Sequence, residues 1–206
     1  MRPTISHTDL KTLDWRESLP TLVGSLIELR QLRRFDGLAL HEALATDDVA
    51  RFISPLPASE EAFEHFISWT DEQRVAGRSL SFAVVPRGSD LAIGLFQVRS
   101  IESDFRTAEW GFALAPEFWG SGVFIDGATL VVSFLFEAIG ARRLEARAVV
   151  DNHRGNGALR KLGAVREAIL RRSFVRDGER LDQALWSILA DDWLHELAPT
   201  DPIVIH

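Results

Sequence analysis

The most constraining feature of this chain is a double change of pattern between Thr107 and Ile139. Thr107 to Leu114 reads as a strand, Pro116 ends it, and Gly120-Ser121-Gly122 leads into an apolar helix from Ile125 to Ile139. A strand that enters an apolar helix through a tight glycine turn must lay that helix on its own sheet, which demands a layered α/β architecture. The turn also leaves backbone N–H groups free at a helix N-terminus, where the dipole favours negative charge. Such a turn is suited to a phosphate-bearing ligand, although the same pattern also serves as plain turn chemistry.

The flanking segments extend the sheet. Leu26 to Leu32 alternates apolar and polar residues as a strand does, and Asp36 is placed to cap a helix carrying Leu38, Leu40 and Leu44. After the Pro55-Leu-Pro57 break, Ser59 with Glu60 and Glu61 opens a longer helix bearing Phe63, Phe66, Ile67 and Trp69. Leu80 to Val85 and Leu91 to Val98 predict a hairpin. Downstream come a strand at Leu144 to Val150, a short helix at Asn156 to Leu162, and strands at Val165 to Phe174 and Leu181 to Leu189. A short helix at Ala190 to Leu197 closes the series. This order predicts a mixed α/β (α+β) fold with helices on both faces of one sheet, not a doubly wound alternation. At 206 residues and 46% hydrophobic the chain suits one core. The expected organisation is an N-terminal arm over 1–20, one domain over 21–197 and a C-terminal tail over 198–206.

Composition excludes several chemistries. The absence of Cys removes disulfides, thiolate metal sites and Cys nucleophiles, and the absence of Tyr removes a common proton donor. The six His show no ligand spacing, so no metal is assigned, and His153 beside Asn152 is the one weighed for catalysis. Without a long apolar run or an apolar leader-like core in Met1 to Leu13, a cytoplasmic protein with no membrane partner is expected. Net charge is -7, yet Arg142 to Arg180 holds 11 Arg or Lys against 5 Asp or Glu. A basic stretch in an acidic chain fits an anionic small ligand better than nucleic acid. Competing glycine motifs fail: Ile125 stands where a dinucleotide fingerprint needs glycine, no Walker-type Gly-Lys-Ser/Thr occurs, and Ser121 lacks a glycine at 119 for a nucleophile elbow.

The stretch AEWGFALAPEFWGSG, then RRLEARAVVDN, then ALRKLGAVREAILRRSFVRDGERLDQALWSIL resembles the GNAT superfamily of acetyltransferases, in its ribosomal-protein N-terminal (Rim-like) branch. The resemblance covers Leu26 to Leu189 and is most specific from Ala108 to Trp186. It implies a GNAT-like, mostly antiparallel central sheet and acetyl-CoA as cosubstrate. It also implies an amine acceptor, either a protein N-terminus or a small molecule, with a homodimer left open. In that family's terms Phe112, Ala113 and Leu114 would pair with the pantetheine arm, and Trp119, Gly120, Ser121, Gly122, Val123 and Phe124 would wrap the pyrophosphate. Asn152 would meet the cofactor near its thiol, Leu159 would pack on the arm, and Arg154, Arg160 and Lys161 would attract the remaining phosphate. Glu109 is implied as the group that accepts the amine proton, with a structural acceptor role as its alternative, and Ser173, water or the backbone environment must serve if thiolate protonation is assisted. The chain departs from the pattern at Phe124, where a small residue is usual, at Ser121, where a base is frequent, and at Gly155, where a serine is usual. Phe124 must either crowd the phosphates or point into the core. These departures support a second reading, a GNAT-fold acyl-CoA sensor or assembly module with weak or no catalysis.

Overall fold

The computed structural model describes residues 14–53, 56–102 and 104–197. Most of the arm, Pro55 of the break and the 198–206 tail lie outside the described residues. One eight-stranded sheet runs in the order β1-β2-β3-β4-β5-β6-β8-β7. Its strands are β1 (Leu22–Val23), β2 (Ile27–Gln31), β3 (Ser79–Pro86), β4 (Gly94–Ser100), β5 (Thr107–Leu114), β6 (Arg143–Val149), β7 (Val165–Arg176) and β8 (Glu179–Leu189). All neighbours are antiparallel except β5 and β6.

Alternation along each strand separates two cores. On one face Phe82, Phe96, Ala108, Trp110 and Leu144 pack beneath α4 (Val123–Phe134), joined by Leu159 of α5 (His153–Lys161) and Trp193 of α6 (Ala190–Leu197). On the other face Ala83, Val85, Leu95 and Ala113 meet α1 (Asp36–Leu44), α2 (Asp47–Ala50) and α3 (Glu60–Val75). Covered on both sides, β3 is buried along nearly its whole length. The expected mixed, mostly antiparallel sheet with helices on both faces is what the chain forms.

Several local expectations need correction. Asp36 does not cap α1: its carboxylate is buried and accepts two hydrogen bonds from Arg30, at 2.7 and 2.8 Å, plus one from the Arg33 N–H. Alternation along β2 cannot show that Arg30 points inward to meet it. A short α2, which no expectation placed, follows α1, capped by Thr46 through Val49 N–H with Asp47 and Asp48 in its first turn. Ser59 caps α3 as expected, accepting from Ala62 N–H at 3.1 Å, but Trp69 is exposed and stacks on Phe66. Helix α4 starts at Val123, earlier than the apolar run suggests, because Gly122 adopts a left-handed φ of 93° and turns the chain into the helix.

The first turn of α4 is fastened across the sheet. Asp126 accepts from the N–H groups of Ser25, Leu26 and Ile27 at 3.0, 2.7 and 3.2 Å, holding the β1–β2 turn against the helix. A Cβ at Gly24 would fall 2.3 Å from that carboxylate, so the turn admits no side chain there. These contacts fix α4 over the edge of the sheet and so set the loop that precedes it.

Candidate active site

Strands β5 and β6 pair only from Thr107 with Arg143 to Trp110 with Ala146. Beyond that point Gly111 to Leu114 pair with β4 alone, while Arg147 to Val149 pair with β8 alone, so the two strands part. Gly94 holds the far end of β5 to β4, since a Cβ there would lie 2.3 Å from the Ala113 carbonyl oxygen. A cleft of about 540 Å3 opens where the strands part. Its walls are β5, the loop to α4, the start of α5 and the α2 region around Arg51 and Phe52.

The loop between Leu114 and Val123 is shaped by its own contacts. The Trp119 indole N–H donates to the Leu114 carbonyl at 2.9 Å, and the Ser121 hydroxyl donates to the Phe118 carbonyl at 2.6 Å. Gly120 and Gly122 take left-handed φ values of 76° and 93°. Ser121 N–H bonds Phe118 and Asp126 N–H bonds Gly122, while the amides of Gly120, Gly122, Phe124 and Ile125 have no acceptor among the described residues. Unsatisfied amides at a helix N-terminus form an anion receptor. Across the cleft, Arg154 stacks its guanidinium over Trp119 at 4.3 Å from the ring centre, and Lys161 follows on the same face of α5 about two turns on. A phosphate between them would meet donors from both walls.

Of the residues singled out in the sequence, the cleft brings together Phe112, Ala113, Leu114, Trp119, Gly120, Gly122, Phe124, Asn152 and Lys161, with His153 beside them. It does not gather the rest. Val123 and Leu159 are buried in the core under the sheet, so Leu159 has no free surface to offer an arm in the cleft. Ser121 is exposed on the loop. Ser173 sits at an irregularity in β7, between the Leu170 carbonyl and Gln183 Oε1 at 3.0 Å each, and Arg160 turns away to the other side of α5.

Phe124 points inward. Its ring lies 4.3 Å from that of Phe112, within an aromatic group that includes Phe96 and Trp110. Phe124→Ala is therefore expected to lower stability by about 2–3 kcal/mol, less than a fully buried Phe would cost, without tightening binding of a phosphate-bearing ligand. Chemical denaturation and calorimetry measure the two effects, and a tighter complex would mean that the ring occupies the ligand's place. At Gly155 a Cβ would come within 2.6 Å of the Asn152 carboxamide, whose oxygen accepts the Gly155 N–H at 2.8 Å. The missing side chain thus makes room for the cap of α5.

Glu109 lies on the opposite face of β5 from Trp110 and Phe112, in a polar tract of the sheet. Its Oε2 meets Arg99 of β4 at 2.9 Å and Arg147 of β6 at 3.4 Å, whereas Oε1 has no partner among the described residues. Next on that face, Gly111 is exposed and an added Cβ would touch nothing within 4 Å. Farther along the tract Arg143 binds Glu145 and Glu167, and Ser187 donates to Glu167 at 2.7 Å. The Arg143 hydrogen bonds, aided by Ser187, hold the Glu167 carboxyl down to about 2 from an ordinary 4.5. A lowered folded-state value contributes stability above pH 4.5 that is lost as pH falls toward 2. Because Glu167 is more than a third exposed, screening reduces the gain to about 1 kcal/mol or less. Glu167→Gln should be correspondingly less stable at pH 7 and should not show that loss on acid titration; identical unfolding profiles would contradict the assignment.

Residues 27–165 match the family described as acetyltransferase (GNAT) domain. An uncharacterized N-acetyltransferase of Bacillus subtilis (strain 168), YoaA, is 27% identical over 175 residues, covering 82% of this chain and 97% of the relative. Mycobacterium smegmatis RimJ in complex with CoA-disulfide superposes with a TM-score of 0.74 at 21% identity, covering 83% of this chain and 87% of the other. The ribosomal-protein-S5-alanine acetyltransferase from Vibrio fischeri gives 0.76 at 18% identity, covering 85% and 99%. At such identities these two structures show the shared fold.

Proposed function

Since the chain belongs to the acetyltransferase (GNAT) family, we propose that it is a cytoplasmic enzyme that binds acetyl-CoA where β5 and β6 part and passes the acetyl group to a primary amine. The observation that carries this reading is the free-amide loop, Gly120 to Ile125, set at the mouth of the gap. There the amides and Arg154 hold the pyrophosphate, Lys161 draws the remaining phosphate, and the pantetheine arm runs beside Gly111 to Leu114 as an added strand. Coenzyme A supplies the thioester; the protein orients it and excludes water.

In the reaction the acceptor nitrogen attacks the thioester carbonyl carbon directly. The C–N bond forms, the C–S bond breaks, the sulfur leaves as thiolate and takes up a proton, and the nitrogen gives one up. A free backbone N–H of β5 can donate to the developing oxyanion. Glu109 is the candidate to take the nitrogen's proton through Oε1, with Arg99 and Arg147 holding the carboxylate in place by Oε2. Ser173, on β7 three strands from β5 and hydrogen-bonded to Gln183 of β8, is a weaker candidate for protonating sulfur than water in the gap. The Vibrio fischeri neighbour, a ribosomal-protein-S5-alanine acetyltransferase, favours a protein acceptor, which we take to be an N-terminus, and a small-molecule amine is the alternative.

Calorimetry with acetyl-CoA and a thiol-release assay over a panel of N-terminal peptides and small amines test the proposal. Binding with turnover of at least one amine supports it; binding without any turnover would favour an acyl-CoA sensor. For Glu109→Gln, kcat should fall at least ~100-fold with coenzyme affinity preserved. Parallel losses of stability and activity would instead make Glu109 a link between Arg99 and Arg147.

A further inference from the structure

Helix α5 separates two clefts. The face carrying Asn152, Arg154, Ala158 and Lys161 lines the gap already described. The other face, with His153, Asn156 and Arg160, lines a second cleft of about 710 Å3, open to solvent, whose far wall is Arg166 of β7 and whose floor includes Trp186 and Ala184 of β8. That volume is in the range of small-molecule sites.

The chemistry of its lining is one-sided. His153, Arg160 and Arg166 approach from two elements, and none forms an ion pair with a described carboxylate although the chain is acidic overall, at -7. Arg160 and Arg166, two like charges at one cavity, repel one another until an anion joins them. The floor, by contrast, is already satisfied. Asn156 donates to the carbonyls of Val149 and Asn152 at 2.8 Å each and accepts from the Trp186 indole N–H at 2.8 Å. Its polar groups are used up, and Trp186 and Ala184 are themselves buried, at 7% and 2% exposed, so what the cleft offers a ligand is its basic rim.

We propose that this cleft is a second binding site, separate from the coenzyme gap, for a small organic anion with a phosphate or carboxylate head. Arg160 and Arg166 take the head, with His153 beside them. His153 and Gly157 border both clefts, so α5 is a common wall, and occupancy of one cleft is felt in the other. Such coupling is reciprocal.

Calorimetry on the full chain tests the proposal with phenyl phosphate and benzoate as probes and benzyl alcohol as the neutral control, each with and without saturating coenzyme A. At least one anion should bind with coenzyme A present, the neutral control should not, and the better anion identifies the head group. Arg160→Ala/Arg166→Ala should weaken that anion roughly tenfold or more while retaining the folded circular dichroism spectrum. Lys161→Ala, on the opposite face of α5, should leave it unchanged. No binding by either anion at millimolar concentration, loss of binding on saturation with coenzyme A, or equal effects of the double variant and Lys161→Ala would each overturn the site. An anion that binds without altering coenzyme A affinity would overturn the coupling. Failure of the coenzyme reading itself appears separately, as absent coenzyme A binding while the anion still binds.

Discussion

Asp36→Ala should cost about 3–5 kcal/mol, the largest stability loss expected of any single polar substitution in this chain. Asp36 and Arg30 are 1% and 9% exposed, and their bidentate pair leaves neither group water to fall back on. The guanidinium also donates to the carbonyls of Gln31 and Asp90 at 3.1 Å each, and Asp36 accepts the Arg33 N–H at 2.8 Å. The pair therefore joins β2, the β3–β4 turn and the start of α1. Removing the carboxylate strands a buried cation among acceptors too few to satisfy it. For a domain of this size the loss lowers Tm by roughly 10 °C. An Arg30→Met/Asp36→Leu double variant should recover most of it, because two apolar groups need no partner. A single variant less than 1 kcal/mol below wild type would contradict this account, as would a double variant worse than the single.

The second large effect is on binding. Ser121→Glu should weaken coenzyme A by roughly 30- to 150-fold, or about 2–3 kcal/mol, because it sets a carboxylate beside the place of the pyrophosphate. Ser121 is exposed, so the side chain can be accommodated without repacking. Its hydroxyl supports the loop through Phe118, which makes Ser121→Ala the control for lost support, and Ser121→Lys should tighten the complex. Calorimetry at two salt concentrations measures all three, with the penalty shrinking as salt rises. Equal affinity of the Glu and Lys variants would mean that no phosphate group sits on this loop.

Much of the fold could be read from the sequence because its signals are local. The Pro116 stop, the Gly120-Ser121-Gly122 turn, the apolar run behind it and the Arg176-Asp177-Gly178-Glu179 hairpin each specify backbone geometry by residue type alone. Of the candidate site, the loop and β5 residues come from that one local unit, whereas the helix that Asn152 caps starts at His153, three residues before the Asn156 expected from the pattern. What escaped depends on contacts far apart in sequence. Asp126 reads as a polar residue in an apolar helix until its three amide donors, about 100 positions away, are brought to it. The α2 wall of the cleft carries no motif, and the burial of Leu159 is decided by how α5 lies on the sheet. The orientation of Phe124 could not be inferred either, since it depends on aromatic neighbours contributed by β4 and β5.

The most direct test of the central claim is a structure of the protein soaked with coenzyme A. The account predicts the pantetheine arm between Gly111–Leu114 and the end of β6, with the pyrophosphate on the amides of Gly120 to Ile125 and within reach of Arg154. Coenzyme A bound elsewhere, or phosphates that leave those amides free, would contradict it.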